Sequence, residues 1–131
     1  MKQKITEFIY SHREEMVDTI RQLVEIPSVK GESKPGAPFG KEPRRALDKM
    51  LEICRDMGFV TSCHDDVMGT ADYSPAGNVA LGILGHLDVV PAEPLNWSCP
   101  PYQLTRTDGK LLGRGVIDDK GPCVAALYAL Y

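Results

Sequence analysis

Residues 78–91 read NVALGILGHLDVVP, and the fold turns on this run. Its first half, Asn78 to Leu84, is a short apolar segment bounded by Pro75-Ala76-Gly77 on one side and Gly85 on the other. Turn-forming residues at both ends of a brief apolar run mark a strand covered on both faces. Such a strand belongs in a mainly parallel central sheet flanked by helices, so the expected fold class is α/β. The second half sets His86 and Asp88 two apart in an extended segment, where alternate side chains point the same way. They face one side together while Leu87 and Val89 turn into the core. In an open α/β sheet, ligands collect beyond the carboxyl ends of the strands, where Gly85-His86 ends the run.

Upstream, Ile5, Phe8, Ile9, Met16, Ile20, Leu23 and Val24 recur at helical spacing. They predict an amphipathic helix from about residue 4 to 25 that Pro27 brings to an end. SVKGESKPGAPFGKE then has the composition of a surface loop. A second helix carries Pro43 in its first turn, an apolar face of Ala46, Leu47, Met50, Leu51, Cys54 and Met57, and Gly58 as its C-terminal cap. Phe59 to Cys63 reads as a strand, HDDVMGTADYSPAG as a connecting loop, and AEPLNWSCPPYQLTRTDGK as an irregular excursion. Pro122 stands near the start of a last helix. From there to Tyr131 no residue is charged and no Gly or Asn marks a cap. A helix apolar on most sides needs covering on several of them. Residues 1–131 are therefore expected to be the N-terminal portion of a longer protein, or a truncated reading of one, cut within a helix.

Composition narrows the partners. The chain has 131 residues, 43% hydrophobic and 25% charged, the make-up of a globular protein rather than a disordered one. Its 15 basic and 18 acidic residues are mixed along the sequence, so no basic stripe exists to neutralise phosphates and nucleic acid is not an expected partner. No stretch has the length of a membrane span, and the first residues lack the apolar core of an export signal. Cys54, Cys63, Cys99 and Cys123 lie far apart with no C-x-x-C pair. That pattern predicts reduced, mostly buried thiols in a cytoplasmic protein.

A metal-bound imidazole is held in one orientation by giving its other N–H to a carboxylate, and His86-x-Asp88 supplies both groups from one strand end. A second polar cluster follows: Gly113-Arg114-Gly115, then Asp118-Asp119-Lys120-Gly121. Glycines allow close backbone approach, and carboxylates are hard oxygen ligands that can bridge metals. Spacing alone leaves both clusters open to plainer readings, a satisfied histidine and a solvated turn before a helix. His64-Asp65-Asp66 reads as a solvated loop, since adjacent residues do not readily converge on one ion. Trp97, Pro101 and Tyr102 are expected to pack their loop against the body, His12 to sit at a helix boundary, and Arg114 to pair with a nearby aspartate.

Taken together and in order, GHLDVVP, NWSCPPY and DGKLLGRGVIDDKGP resemble the co-catalytic zinc hydrolases of peptidase family M-twenty, the carboxypeptidase G and aminoacylase group. Within it the chain is most similar to the dipeptidase V branch, the PepV and Sapep-like dipeptidases. IRQLVEIPSV, PFGKEPRRALDKML and CRDMGF resemble that branch's opening, so the likeness runs from about residue 14 onward. The resemblance implies His86 as a ligand of one zinc, Asp118 as the carboxylate bridging two zincs, with Asp119 as the fallback, and Asp88 as the catalytic support that orients His86. It also implies a cis peptide between Asp118 and Asp119. Two zinc ions, or manganese or cobalt in their place, would activate water for hydrolysis of a dipeptide or short peptide. The family's general-base glutamate and remaining ligands match nothing in these residues, so the chain alone is expected to be inactive. N-acyl amino acid deacylation or desuccinylation by the same metal pair is the alternative within the superfamily, and a non-catalytic truncated α/β fragment is the alternative outside it.

Overall fold

Apolar spacing near 3.6 produces the first two helices, and an uncharged, mostly apolar run produces the third. In the computed structural model, which describes residues 2–73, 77 and 81–131, α1 spans Lys2–Val24 and α2 spans Lys41–Asp56. The last, α3, spans Lys120–Leu130. Pro43 and Pro122 each fall in a first turn, where a missing N–H costs nothing. Gly58 follows α2 with φ of 89°, and its N–H donates to the Arg55 carbonyl at 2.9 Å, closing the helix as expected.

The core lies where α1 meets α3. Leu23, Val124 and Tyr128 are buried there, with Met16, Ile20 and Leu87 against them. Burying such side chains contributes about 1.5–3 kcal/mol each. Thr19 Oγ1 lies 3.2 Å from the Tyr128 hydroxyl, so the one polar group of the buried tyrosine is satisfied. A second cluster, Cys54, Phe59 and Leu127, joins α2 to the same helix. These contacts cover one side of α3, whereas Leu130 stays exposed. His12 rests between Phe8, 4.1 Å away by ring centroid, and Tyr128 at 6.2 Å, a boundary position as expected.

The strands differ from the sequence reading. β1 (Val60–His64) pairs antiparallel with β2 (Met68–Asp72), a segment whose composition reads as loop. The reason lies in the turn, where Asp65 and Asp66 adopt left-handed φ values of 51° and 59°. Aspartate tolerates that region, and consecutive positive φ suits the twist of a hairpin. Gly69 lets α2 settle on the hairpin, because a Cβ there would come within 2.8 Å of Leu51 and 2.9 Å of Leu47. Inside the expected irregular excursion, β3 (Thr105–Thr107) and β4 (Lys110–Leu112) form another antiparallel hairpin across Asp108-Gly109. Both turn residues have positive φ, 48° and 73°.

Among the described residues every ladder is therefore antiparallel and two-stranded. The expected mainly parallel sheet is not formed by them. Residues 78–80 of the expected strand lie outside the described residues. Leu81 to Leu84 lie outside any helix or ladder, and Leu81 and Leu84 are 68% and 92% exposed. A parallel ladder needs a second co-directional strand alongside, and the described residues offer none to this segment. No helix of the described residues is long and apolar enough to cross a membrane.

Candidate metal centre

The extended segment after Gly85 docks on the end of α1. Val89 N–H donates to the Ser28 carbonyl at 3.0 Å, and Ser28 Oγ donates to the Leu87 carbonyl at 2.6 Å. Leu87 and Val89 point into the core, so His86 and Asp88 are left together on the outer side, as alternation predicts. Gly85 brings this backbone against the start of α3. A Cβ at that position would meet Cys123 Sγ and lie 2.8 Å from Asp119 Oδ2.

Across from it, residues 113–119 loop into α3, and the Asp118–Asp119 peptide is cis, as the resemblance implies. His86 Nε2 lies 2.9 Å from Asp118 Oδ1. On its other side, Nδ1 lies 3.1 Å from the Asp88 carbonyl oxygen and 3.4 Å from Asp88 Oδ1. The expected support of the ring by Asp88 thus involves its main chain more closely than its carboxylate. Asp119 is engaged elsewhere: its Oδ2 accepts the His86 backbone N–H at 3.2 Å and the Cys123 thiol at 3.4 Å. Of the two aspartates, Asp118 is the one that faces the imidazole. Burial disfavours a charged ring, but the Asp118 hydrogen bond, the Asp88 carbonyl and the two carboxylate charges outweigh it and hold the His86 pKa above the ordinary histidine value.

Sequence reasoning gave no role to Lys120 or Ser28, and both are fully buried. Lys120 Nζ donates to the carbonyls of Leu23 and Ile26, each at 2.8 Å. A cation at the C-terminal end of α1 meets two main-chain carbonyls and the negative end of the helix dipole. Burial pushes the lysine down to about 8 from an ordinary 10.5, with the Asp88 charge pulling the other way. Between those values the unfolded chain holds a proton that the folded chain has released, so stability rises with pH. Burial also pushes the Cys123 thiol up to about 12 from 9.0. Above that ordinary value the unfolded thiol ionises first, which opposes the gain. The expected outcome in thermal melts is a Tm that climbs from about pH 7.5 to about 9 and then levels off, a climb that Lys120→Met lacks.

The remaining singled-out residues are structural. Asp66 pairs with Arg44, which also holds Asp48 at 2.8 Å, and His64 Nε2 lies 3.2 Å from Thr70 Oγ1 across the hairpin. Arg114 departs from expectation: its guanidinium stacks over Trp97 at 5.1 Å and forms no ion pair among the described residues. The indole plane is its neighbour, and its backbone N–H donates to the Pro101 carbonyl at 2.6 Å, so Trp97 and Pro101 do fasten the loop. All four cysteines are unpaired, with Cys54 buried and Cys63 exposed. Among the described residues no group of three His, Cys, Asp or Glu side chains converges to hold an ion.

Known proteins are similar to this chain in sequence and in fold. The model of Peptidase family M20/M25/M40 matches residues 82–131, the part that carries His86, Asp88 and Asp118. A protein of Staphylococcus aureus strain USA300, whose name provisionally calls it a dipeptidase, is 38% identical over 126 residues, 95% of this chain and 26% of its own length. The structure of human carnosine dipeptidase 1 superposes with a TM-score of 0.74 at 28% identity, over 99% of this chain and 30% of that one. The di-peptidase Dug1p of Saccharomyces cerevisiae shares the fold, with a TM-score of 0.69 at 18% identity over 98% of this chain and 30% of its own. The chain spans about a quarter of the length of the curated relatives it matches. The match to peptidase family M20/M25/M40 is confined to residues 82–131, while nearly the whole chain is similar to part of longer proteins named as dipeptidases.

Proposed function

We propose that the complete protein is a zinc-dependent dipeptidase that hydrolyses short peptides with metal-activated water. One observation carries the reading: His86 Nε2 and Asp118 Oδ1, from loops 32 residues apart, face each other at 2.9 Å on the exposed side of the fold. An imidazole nitrogen and a carboxylate oxygen are the donor types that hold zinc, so the pair fits such an ion chemically. In the proposal His86 would be a ligand of one zinc and Asp118 a carboxylate shared between two. The Asp88 carbonyl and carboxylate fix the tautomer and aim of the His86 ring. When bound, the ions lower the pKa of a shared water and polarise the scissile carbonyl.

A catalytic zinc takes three protein ligands, and His86 and Asp118 fall short of that for two ions. The other ligands and the glutamate base are assigned to sequence outside these residues, which leaves the isolated chain inactive. The unpaired cysteines support a cytoplasmic setting as part of the same proposal.

Metal removal tests the proposal. Dialysis of the complete protein against a chelator is expected to abolish dipeptide hydrolysis, and added zinc to restore it. Hydrolysis that survives full chelation overturns the reading, as does preference for N-acetyl or N-succinyl amino acids over dipeptides. If the 131-residue chain itself bound two zincs tightly and cleaved dipeptides, the division of the site would be wrong.

A further inference from the structure

Two buried polar side chains tie one short stretch of backbone, the end of α1 and the turn after it, to the two loops that carry His86 and Asp118. Ser28 Oγ donates to the Leu87 carbonyl at 2.6 Å while the Ser28 carbonyl accepts Val89 N–H at 3.0 Å. These two bonds bracket Asp88 from the core side, and the first of them fixes the carbonyl of the residue next to His86. Lys120 Nζ donates at 2.8 Å to the carbonyls of Leu23 and Ile26. That second attachment begins one residue after the Asp118–Asp119 pair. Ser28 and Lys120 are both 0% exposed, so neither hydrogen-bond set competes with water. The spacing of the two loops is thereby referred to a common support rather than set by the loops alone.

We propose that the Leu23–Ser28 segment sets the separation of His86 and Asp118, with Ser28 and Lys120 as positioning residues for the metal centre. The proposal rests on the functional reading above for its consequence, and on the hydrogen bonds alone for its geometry. Buried groups of this kind orient a ligand when they are satisfied on every side, and a ligand displaced by a fraction of an ångström loses affinity. Neither residue touches substrate. Their effect is on where the imidazole and the carboxylate stand.

Ser28→Ala removes one hydroxyl and leaves the main-chain bond to Val89 in place. In the complete protein it is expected to weaken zinc binding by about 10-fold to 100-fold in chelator competition. It should lower kcat similarly, with KM for dipeptides changed less than about twofold. Ser28→Thr, which retains the hydroxyl, is expected to recover zinc affinity. A crystal structure of the alanine variant should show the His86 Nε2 to Asp118 Oδ1 separation opened beyond hydrogen-bond reach. A Tm lowered with zinc affinity, kcat and that separation all unchanged makes Ser28 merely structural and overturns the proposal. Wild-type protein that binds no zinc and cleaves no dipeptide overturns the functional reading instead, while the separation in the variant crystal still decides whether Ser28 positions His86.

Discussion

Asp118→Ala in the complete protein is expected to cut dipeptide turnover by about 10³-fold or more, and to remove bound metal with it. The carboxylate stands 83% exposed beyond its contact with His86, so its loss disturbs little packing and reads on the site rather than on the fold. His86→Ala is expected to lower metal content in the same way. Asp88→Ala should behave differently. The nearer partner of His86 Nδ1 is the Asp88 main-chain carbonyl, at 3.1 Å against 3.4 Å for the carboxylate, and alanine keeps that carbonyl. The ring keeps its tautomer but loses a charge behind it. Turnover is expected to fall by about 10-fold to 100-fold, the usual effect of a ligand's supporting partner, with metal largely retained. Metal analysis beside steady-state kinetics separates the cases, and equal metal loss in all three variants would remove the supporting role of Asp88.

Gly121→Ala should destabilise the chain by about 3 kcal/mol or more, seen as a fall in the urea midpoint. Two effects compete. Alanine in place of glycine within a helix gains about 1 kcal/mol. Against that, a Cβ at residue 121 would overlap the Val116 carbonyl oxygen. The obstacle is backbone, so no rotamer change relieves it. The same loop is tied by Lys120 N–H to the Gly115 carbonyl at 2.9 Å and by Val116 N–H to the Gly113 carbonyl at 3.2 Å. Moving Val116 therefore moves the segment that presents Asp118. An unchanged or higher midpoint would show that this loop yields freely.

The first two helices were legible because burial on one face enforces a period, and Leu23, Val24 and Cys54 fall where that period puts them, while the third was marked by Pro122 and an uncharged apolar run. The outward pairing of His86 with Asp88 followed from strand alternation, and the choice of Asp118 from the resemblance. Geometry adds the reason for preferring it over Asp119, whose carboxylate is held by the His86 amide and the Cys123 thiol. The hairpins were less visible. Asp108-Gly109 is a strong turn signal submerged in proline-rich sequence, while Asp65-Asp66 depends on aspartate accepting left-handed φ. Ser28 and Lys120 left no pattern at all, since their partners are carbonyls 59 and 97 residues away and any residue supplies a carbonyl.

The union of α1 with α3 also dictates an order of events during synthesis. Thr19 meets Tyr128 across 109 positions, and the Leu23 carbonyl waits for Lys120. The first helix can meet α2 early, but the part of its apolar face that packs on α3 stays unmatched until nearly all of these residues have been made. The same closing step brings the loop of Asp118 up to His86. Consolidation of the core and the meeting of those two side chains are one event.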